Sequence, residues 1–177
     1  MAIHIVMYQP EIPPNTGNVM RTCAATGTKL HLIHPLGFSL DEKHMRRAAM
    51  DYYEHVDYQE YPSIEAFFEA NAGGKFYFLT RYGQKPYSSF DYSNVDEEIY
   101  FVFGSESKGI PKEVLQPYFE TCLRIPMNGK VRSLNVANCA TVLLYEALRQ
   151  QNFPGLLLEE PQADDQGFKG KDWILSE

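Results

Sequence analysis

Between Leu123 and Asn138 an apolar segment, Leu123-Arg124-Ile125-Pro126-Met127, runs into a loop carrying Gly129, Lys130 and Arg132. That loop feeds a long helical pattern through Ser133-Leu134-Asn135. A helix N-terminus exposes backbone N–H donors that have no partner within the helix, so such a junction can hold a polar ligand through backbone groups. Two further stretches carry residue types suited to chemistry. One is Asn15-Thr16-Gly17-Asn18-Val19-Met20-Arg21, and the other is Phe103-Gly104-Ser105-Glu106-Ser107-Lys108-Gly109. Gly104 follows the buried-looking run Tyr100–Phe103, where the absence of a side chain suits either a close ligand or a tight turn.

Other chemistries fail at the motif level. Ser105 to Lys108 fits the S-x-x-K pattern of serine acyl-enzymes, but S-D-N and K-T-G are absent. There is no G-x-S-x-G elbow, G-x-G-x-x-G fingerprint or Walker loop. His4, His31, His34, His44 and His55 show no metal-ligand spacing, so no metal is implied. Cys23, Cys122 and Cys139 are scattered and odd in number, which reads as buried thiols in a reducing cytosol. The first residues lack a basic segment followed by an apolar run, and no apolar stretch is long enough for a membrane span. The expectation is a cytoplasmic chain with no membrane partner.

The elements that must position these residues follow from pattern and punctuation. Ile3–Tyr8, Lys29–His34, a segment near His55–Tyr58, Lys75–Thr80, Glu98–Phe103 and Leu123–Pro126 read as strands. Helices are expected after Asn15, Thr16 or Asn18 with Gly27 as the stop, from the capping box Ser39-Leu40-Asp41-Glu42 to about Met50, and from Ser63 to Asn71. Two more are expected over Lys112–Tyr118 and Leu134–Gln151. Strands alternating with helices predict an α/β fold with a mostly parallel sheet and helices on both faces. The 177 residues fit one domain, read as residues 1–155, followed by a polar tail over 156–177 that ends in Trp173-Ile174-Leu175. The apolar set of the last helix, Val136, Ala140, Val142, Leu143, Leu144, Ala147 and Leu148, is wider than one amphipathic stripe requires.

A net charge of −7 weighs against a nucleic-acid binder, since phosphate contacts need Lys and Arg. The distribution counters this: acids gather at Glu159-Glu160 and Asp164-Asp165. Bases gather at Lys43, Arg46 and Arg47, at Lys108, and at Lys130 and Arg132.

The three motifs, in this order, resemble those of the SPOUT RNA 2′-O-ribose methyltransferases. Further agreement lies in Tyr8-Gln9-Pro10-Glu11-Ile12-Pro13-Pro14, His34-Pro35-Leu36-Gly37-Phe38, Arg46-Arg47-Ala48, Asp51-Tyr52 and Tyr145-Glu146-Ala147. The resemblance covers roughly Ile3 to Asn152. It is closest to the small branch without an added RNA-binding domain, the TrmL-type tRNA wobble ribose methyltransferases. Two positions depart from that branch: Leu134 follows the serine where methionine is common, and Ala137 precedes the last asparagine where serine is common.

The resemblance implies a C-terminal trefoil knot, S-adenosylmethionine as cofactor, a homodimer, and the tRNA anticodon stem-loop as substrate. It implies cofactor contacts from Leu79, Thr80, Gly104, Ser105, Glu106, Ile125, Met127, Ser133 and Leu134. Arg21 matches the motif-one arginine. A guanidinium keeps its proton at a pKa above ~12, so its expected role is to bind the phosphate beside the target ribose and stabilise developing alkoxide charge. Asn15, Ser133 and Asn135 offer neutral hydrogen-bonding groups around sugar or cofactor, with Asn15 and Ser133 equally readable as helix caps. Lys43, Arg46, Arg47, Lys108, Lys130 and Arg132 join Arg21 as candidate RNA contacts. The rival expectations are a ribose methyltransferase for ribosomal RNA or another tRNA position, and a non-catalytic knotted RNA-binding protein.

Overall fold

Short apolar runs pair into one seven-stranded sheet in the structure, a computed structural model describing residues 3–40, 50–164 and 167–175. The strands are β1 (Ile3–Tyr8), β2 (Lys29–Ile33), β3 (Tyr58–Tyr61), β4 (Lys75–Leu79), β5 (Lys85–Pro86), β6 (Ile99–Phe103) and β7 (Cys122–Arg124). Their order is β3-β2-β1-β6-β4-β7-β5, and every pairing is parallel. Parallel neighbours need crossover connections, and α1 (Pro13–Thr26), α2 (Ile64–Ala70), α3 (Lys112–Leu115) and α4 (Val136–Gln150) lie in those connections or close the chain.

The period-two alternation of strand side chains sorts the core into two layers. Ile3, Ile5, Met7, Leu30, Leu32, Phe101, Phe103 and Leu123 face Val19, Met20, Leu143 and Leu144 of α1 and α4. The intervening residues Val6, Ile33, Phe76, Phe78, Tyr100 and Val102 face Ile64 and Phe67 of α2, with Val114 and Leu115 of α3 packed alongside. Helices therefore cover both faces. Every residue of β6 is buried, as expected of a central parallel strand.

The α2 face also buries a polar chain among its rings. His31 Nδ1 and the Tyr61 hydroxyl are 3.0 Å apart, His31 Nε2 and His4 Nδ1 are 3.0 Å apart, and His4 Nε2 meets Glu98. With both imidazoles neutral, every contact has a donor: Tyr61 O–H to His31, His31 Nε2–H to His4, and His4 Nε2–H to Glu98. Burial pushes His31 down to about 3, with His4 and Lys29 adding to the effect. His4 is also lowered, because burial outweighs the opposing pull of Glu98.

Several sequence expectations are corrected. The third strand lies over Tyr58–Tyr61, since Met50–His55 forms a 3-10 helix and β3 must align with Leu30–Ile33 of β2. None of Asn15, Thr16 and Asn18 caps α1, which begins at Pro13 after an extended Ile12. Two prolines in the first turn have no N–H to cap, and the backbone N–H of Asn15 bonds to the Ile12 carbonyl. The helix expected over Lys112–Tyr118 stays α-helical only to Leu115. Pro117 cannot donate, and the chain tightens into a 3-10 segment, Gln116–Thr121. Val142, grouped with the apolar set of α4, is 37% exposed. Ser63 caps α2 through its hydroxyl, and Gly27 ends α1 at φ 66°, both as expected. The expected basic helix after Ser39 falls on residues 41–49, outside the described residues. In the tail Ile174 and Leu175 are each 84% exposed.

Candidate active site

Parallel strands expose their carboxyl ends on one edge, where open α/β sheets bind ligands. Leu79, at the end of β4, pairs with Phe103 of β6 on one side and Leu123 of β7 on the other. The loops after these three strands therefore start side by side, and Met7 of β1 pairs with Phe103 one strand further along. Leu79 and Ile125 pack against the same core layer as α1 and α4. Thr80 N–H donates to the Leu123 carbonyl at 3.0 Å, and Gly83 N–H to the Thr80 carbonyl at 3.1 Å. A Cβ on Gly83 would lie 2.4 Å from the Leu123 carbonyl carbon, and one on Gly104 would lie 2.3 Å from that of Gly109. These two glycines permit backbone approaches that any side chain would block.

One chain of hydrogen bonds joins the three motifs. Asn135 is the N-cap of α4, its Oδ1 accepting from the backbone N–H of Ala137 at 2.9 Å and of Asn138 at 3.3 Å. Its Nδ2 must then donate, and it does so to Asn15 Oδ1 at 2.9 Å. Asn15 Nδ2 in turn donates to Glu106 Oε1 at 3.0 Å. Glu106 also accepts from the N–H of Glu11 at 2.8 Å and of Ile12 at 3.3 Å. The reciprocal contact comes from Glu11, whose carboxylate accepts from Ser107 N–H at 2.9 Å and Oγ–H at 2.7 Å. Those two Ser107 bonds hold the Glu11 carboxyl below its usual range. Ser105 braces the loop from within, accepting from Lys108 N–H at its hydroxyl and bridging to Gly109.

The other expected site residues divide by exposure. Leu79, Thr80, Gly104, Glu106, Ile125 and Met127 are half-buried, as a partly open pocket wall requires, and Ser105 is buried. Arg21, Lys108, Lys130, Arg132, Ser133 and Leu134 are exposed. Arg21 stands on α1 next to Thr22, whose hydroxyl lies 3.3 Å from that of Thr141 on α4. Lys43, Arg46 and Arg47 lie outside the described residues. Ser133 is not a cap, since Asn135 holds that position. Sequence reasoning missed the Glu11–Ser107 clamp and strand β5, because both depend on partners far away in the chain.

Asn135→Ala should lower stability by about 1–2 kcal/mol in urea unfolding. It removes an N-cap and leaves Asn15 Oδ1 without its donor. An unchanged midpoint would mean that the chain of amides contributes nothing to holding the three loops together.

A doubly covered parallel sheet with three conjoined loops at its carboxyl edge is an open α/β architecture with its candidate site where such sheets bind ligands. The chain belongs to the SpoU rRNA Methylase family, whose model matches residues 2–145. A Listeria innocua relative, provisionally assigned as a tRNA (cytidine(34)-2′-O)-methyltransferase, is 56% identical over 169 residues, spanning 96% of this chain and 99% of the relative. The tRNA (cytidine(34)-2′-O)-methyltransferase of Methylovorus glucosotrophus is 48% identical over 152 residues, 85% of this chain and 97% of its own. A solved structure concerned with 2-OH methylation of C/U34 on tRNA superposes with TM-score 0.78 at 45% identity, covering 85% of this chain and 96% of that one.

Proposed function

We propose that this chain transfers a methyl group from S-adenosylmethionine to the ribose 2′-hydroxyl of the tRNA anticodon wobble nucleotide, cytidine or uridine. The observation that carries the reading is the junction of three loops locked by Asn135, Asn15 and Glu106, beside an α1 that presents Arg21. The names of the relatives agree with it.

The residues present fit the cofactor. Half-buried Leu79, Ile125 and Met127 offer apolar surface for an adenine ring at a backbone-rich edge. Glu106, the only carboxylate in the stretches 79–84, 103–110 and 123–135, is occupied by donors from 11–15. Bound there, S-adenosylmethionine supplies an electrophilic methyl carbon. Arg21 holds the phosphate next to the target ribose and offsets negative charge as the 2′-oxygen loses its proton to a phosphate oxygen or water. Ser133 and Asn138, exposed on either side of the cap, remain available to the sugar. The need for a 2′-hydroxyl selects RNA over DNA. On this reading the protein works in the cytoplasm.

A trefoil knot is part of this reading, and the close approach of Gly83 to the Leu123 backbone is compatible with tight threading there. Residues 1–155 would form the catalytic domain and 156–177 an appendage. A homodimer is supported by the exposed side chains of Tyr145, Leu157 and Leu158, which with Ala25, Phe153 and Leu156 line an open groove of about 470 Å³. Sedimentation should show a dimer at micromolar protein; a fully active monomer would remove the shared interface.

The deciding experiment is radiolabelled methyl transfer to unmodified tRNA, mapped by mass spectrometry, with a 2′-deoxy wobble ribose as control. Label on the wobble ribose that disappears in the control is the expected result. Label elsewhere would retain the enzyme class and discard the position.

A further inference from the structure

Directly beyond Leu79 and Thr80, the turn Arg81-Tyr82-Gly83-Gln84 holds a large aromatic ring out into solvent. Tyr82 is 69% exposed, and the Arg81 guanidinium lies 5.2 Å from its ring centroid. An exposed tyrosine is ordinary in isolation. This one is held in place on the rim of the site. Tyr82 N–H donates to the Thr80 hydroxyl at 3.3 Å, and Gln84 Nε2 donates to the Tyr82 carbonyl at 3.0 Å. Gly83 is buried against the Leu123 backbone, so the turn rests on the strand that leads into Ile125–Met127. Immediately afterwards Lys85 and Pro86 pair with Leu123 and Arg124.

The surroundings carry unneutralised positive charge. Among the described residues Arg81, Lys85 and Arg124, which sit at or just beyond the ends of β4, β5 and β7, take part in no salt bridge. On a chain of net charge −7 this is a local basic edge, and it coincides with the carboxyl ends of β4 and β7. A flat π surface fixed on a rigid turn, backed by a guanidinium and flanked by free cations, is the combination that binds single-stranded nucleic acid. The ring stacks on a base of any identity while the cations follow the phosphates. The guanidinium can occupy only one face of the ring, which leaves the other for a base, and it strengthens the stack through the cation–π contact.

We propose that Tyr82, backed by Arg81, is a stacking platform for an unpaired RNA base adjoining the ribose that receives the methyl group. The inference rests on the function proposed above and adds a positioning element to it. The cofactor loops fix where the methyl carbon sits, and the platform fixes the nucleotide against them. Because stacking reads no hydrogen-bonding edge, this platform accepts a base of any identity and leaves selection to other contacts.

The test compares Tyr82→Ala and Tyr82→Phe with the unaltered chain, using an RNA anticodon stem-loop and a set of the same stem-loops carrying single abasic nucleotides. The expected result is a roughly tenfold rise in RNA Kd and KM for Tyr82→Ala, the order of one lost base–aromatic stack, with a smaller change in kcat. Tyr82→Phe should restore binding, since the ring and not the hydroxyl does the stacking. S-adenosylmethionine affinity and thermal midpoint should be unchanged in both variants. One abasic position should weaken the unaltered chain but not weaken Tyr82→Ala further, which identifies the stacked base. RNA affinity within twofold of normal for Tyr82→Ala, or an equal loss in Tyr82→Phe, would overturn the platform. Binding that shows the abasic pattern without any methyl transfer would keep the platform and discard the proposed function. No RNA binding at all would discard both.

Discussion

Arg21→Ala should reduce the single-turnover rate of methyl transfer by about 10²–10³-fold at saturating RNA and cofactor. That is the usual effect of removing one donor that stabilises developing oxyanion charge. Arg21 is exposed on α1, while Val19, Met20 and Cys23 on its buried side carry the packing, so the fold should tolerate the change. S-adenosylmethionine affinity should stay within twofold, because the expected cofactor contacts come from the loops after β4, β6 and β7. Arg21→Lys should fall between the two: the charge remains, but the planar fork that grips a phosphate is lost. Rapid-quench kinetics with isothermal titration of the cofactor separates these effects. A normal rate in Arg21→Ala would remove this side chain from the mechanism and direct attention to Ser133 and Asn138.

Acidification should destabilise the chain through its buried histidines well before its carboxylates titrate. In the folded state His31 is lowered to about 3, whereas in the unfolded chain it returns to about 6.5. Below pH 6.5 the unfolded state therefore takes up a proton that the folded state refuses. The contribution of this site is complete above about 6.5 and is lost as pH falls toward 3. At about 1.4 kcal/mol per tenfold change in proton activity, roughly 2 kcal/mol is gone by pH 5 and about 4 kcal/mol by pH 3. His4 shifts in the same direction and adds to the loss. Glu11, Asp91 and Glu146 have lowered carboxyls whose contributions are lost only below their ordinary values of 4.5 or 3.8. The interval between pH 6.5 and 5 thus isolates the histidines. Urea unfolding across that interval should show the fall, while NMR should find the His31 ring still neutral at pH 5. A His31 titration midpoint near 6.5 in the folded protein would contradict the buried neutral chain.

The elements visible in the sequence were those with strong local signals. β6 is Ile-Tyr-Phe-Val-Phe, a run that has little choice but a central strand, and Ser63 and Gly27 bracket helices by short-range chemistry. The helix starts were harder to place. Pro13-Pro14 allowed α1 to begin without a side-chain cap, which freed Asn15 to face Glu106 across 91 residues of chain. Asn135 displaced Ser133 as the cap of α4, because the same amide that accepts from Ala137 can donate to Asn15. β5 is a two-residue Lys-Pro strand, recognisable only by its pairing with β7.

By itself the sequence determined the α/β class, the order of the three motifs and the family, since each depends on residues close together in the chain. The tertiary structure alone decided which polar groups meet. Asn135 reaches Asn15 across 120 residues, Ser107 reaches Glu11 across 96, and His4 reaches Glu98 across 94. It also decided that Tyr82 stands exposed on the rim while Tyr92, ten residues later, is fully buried. Local pattern encodes strand and helix through short-range sterics and hydrogen bonding. Burial and long-range partnership arise only when parallel register sets distant residues side by side.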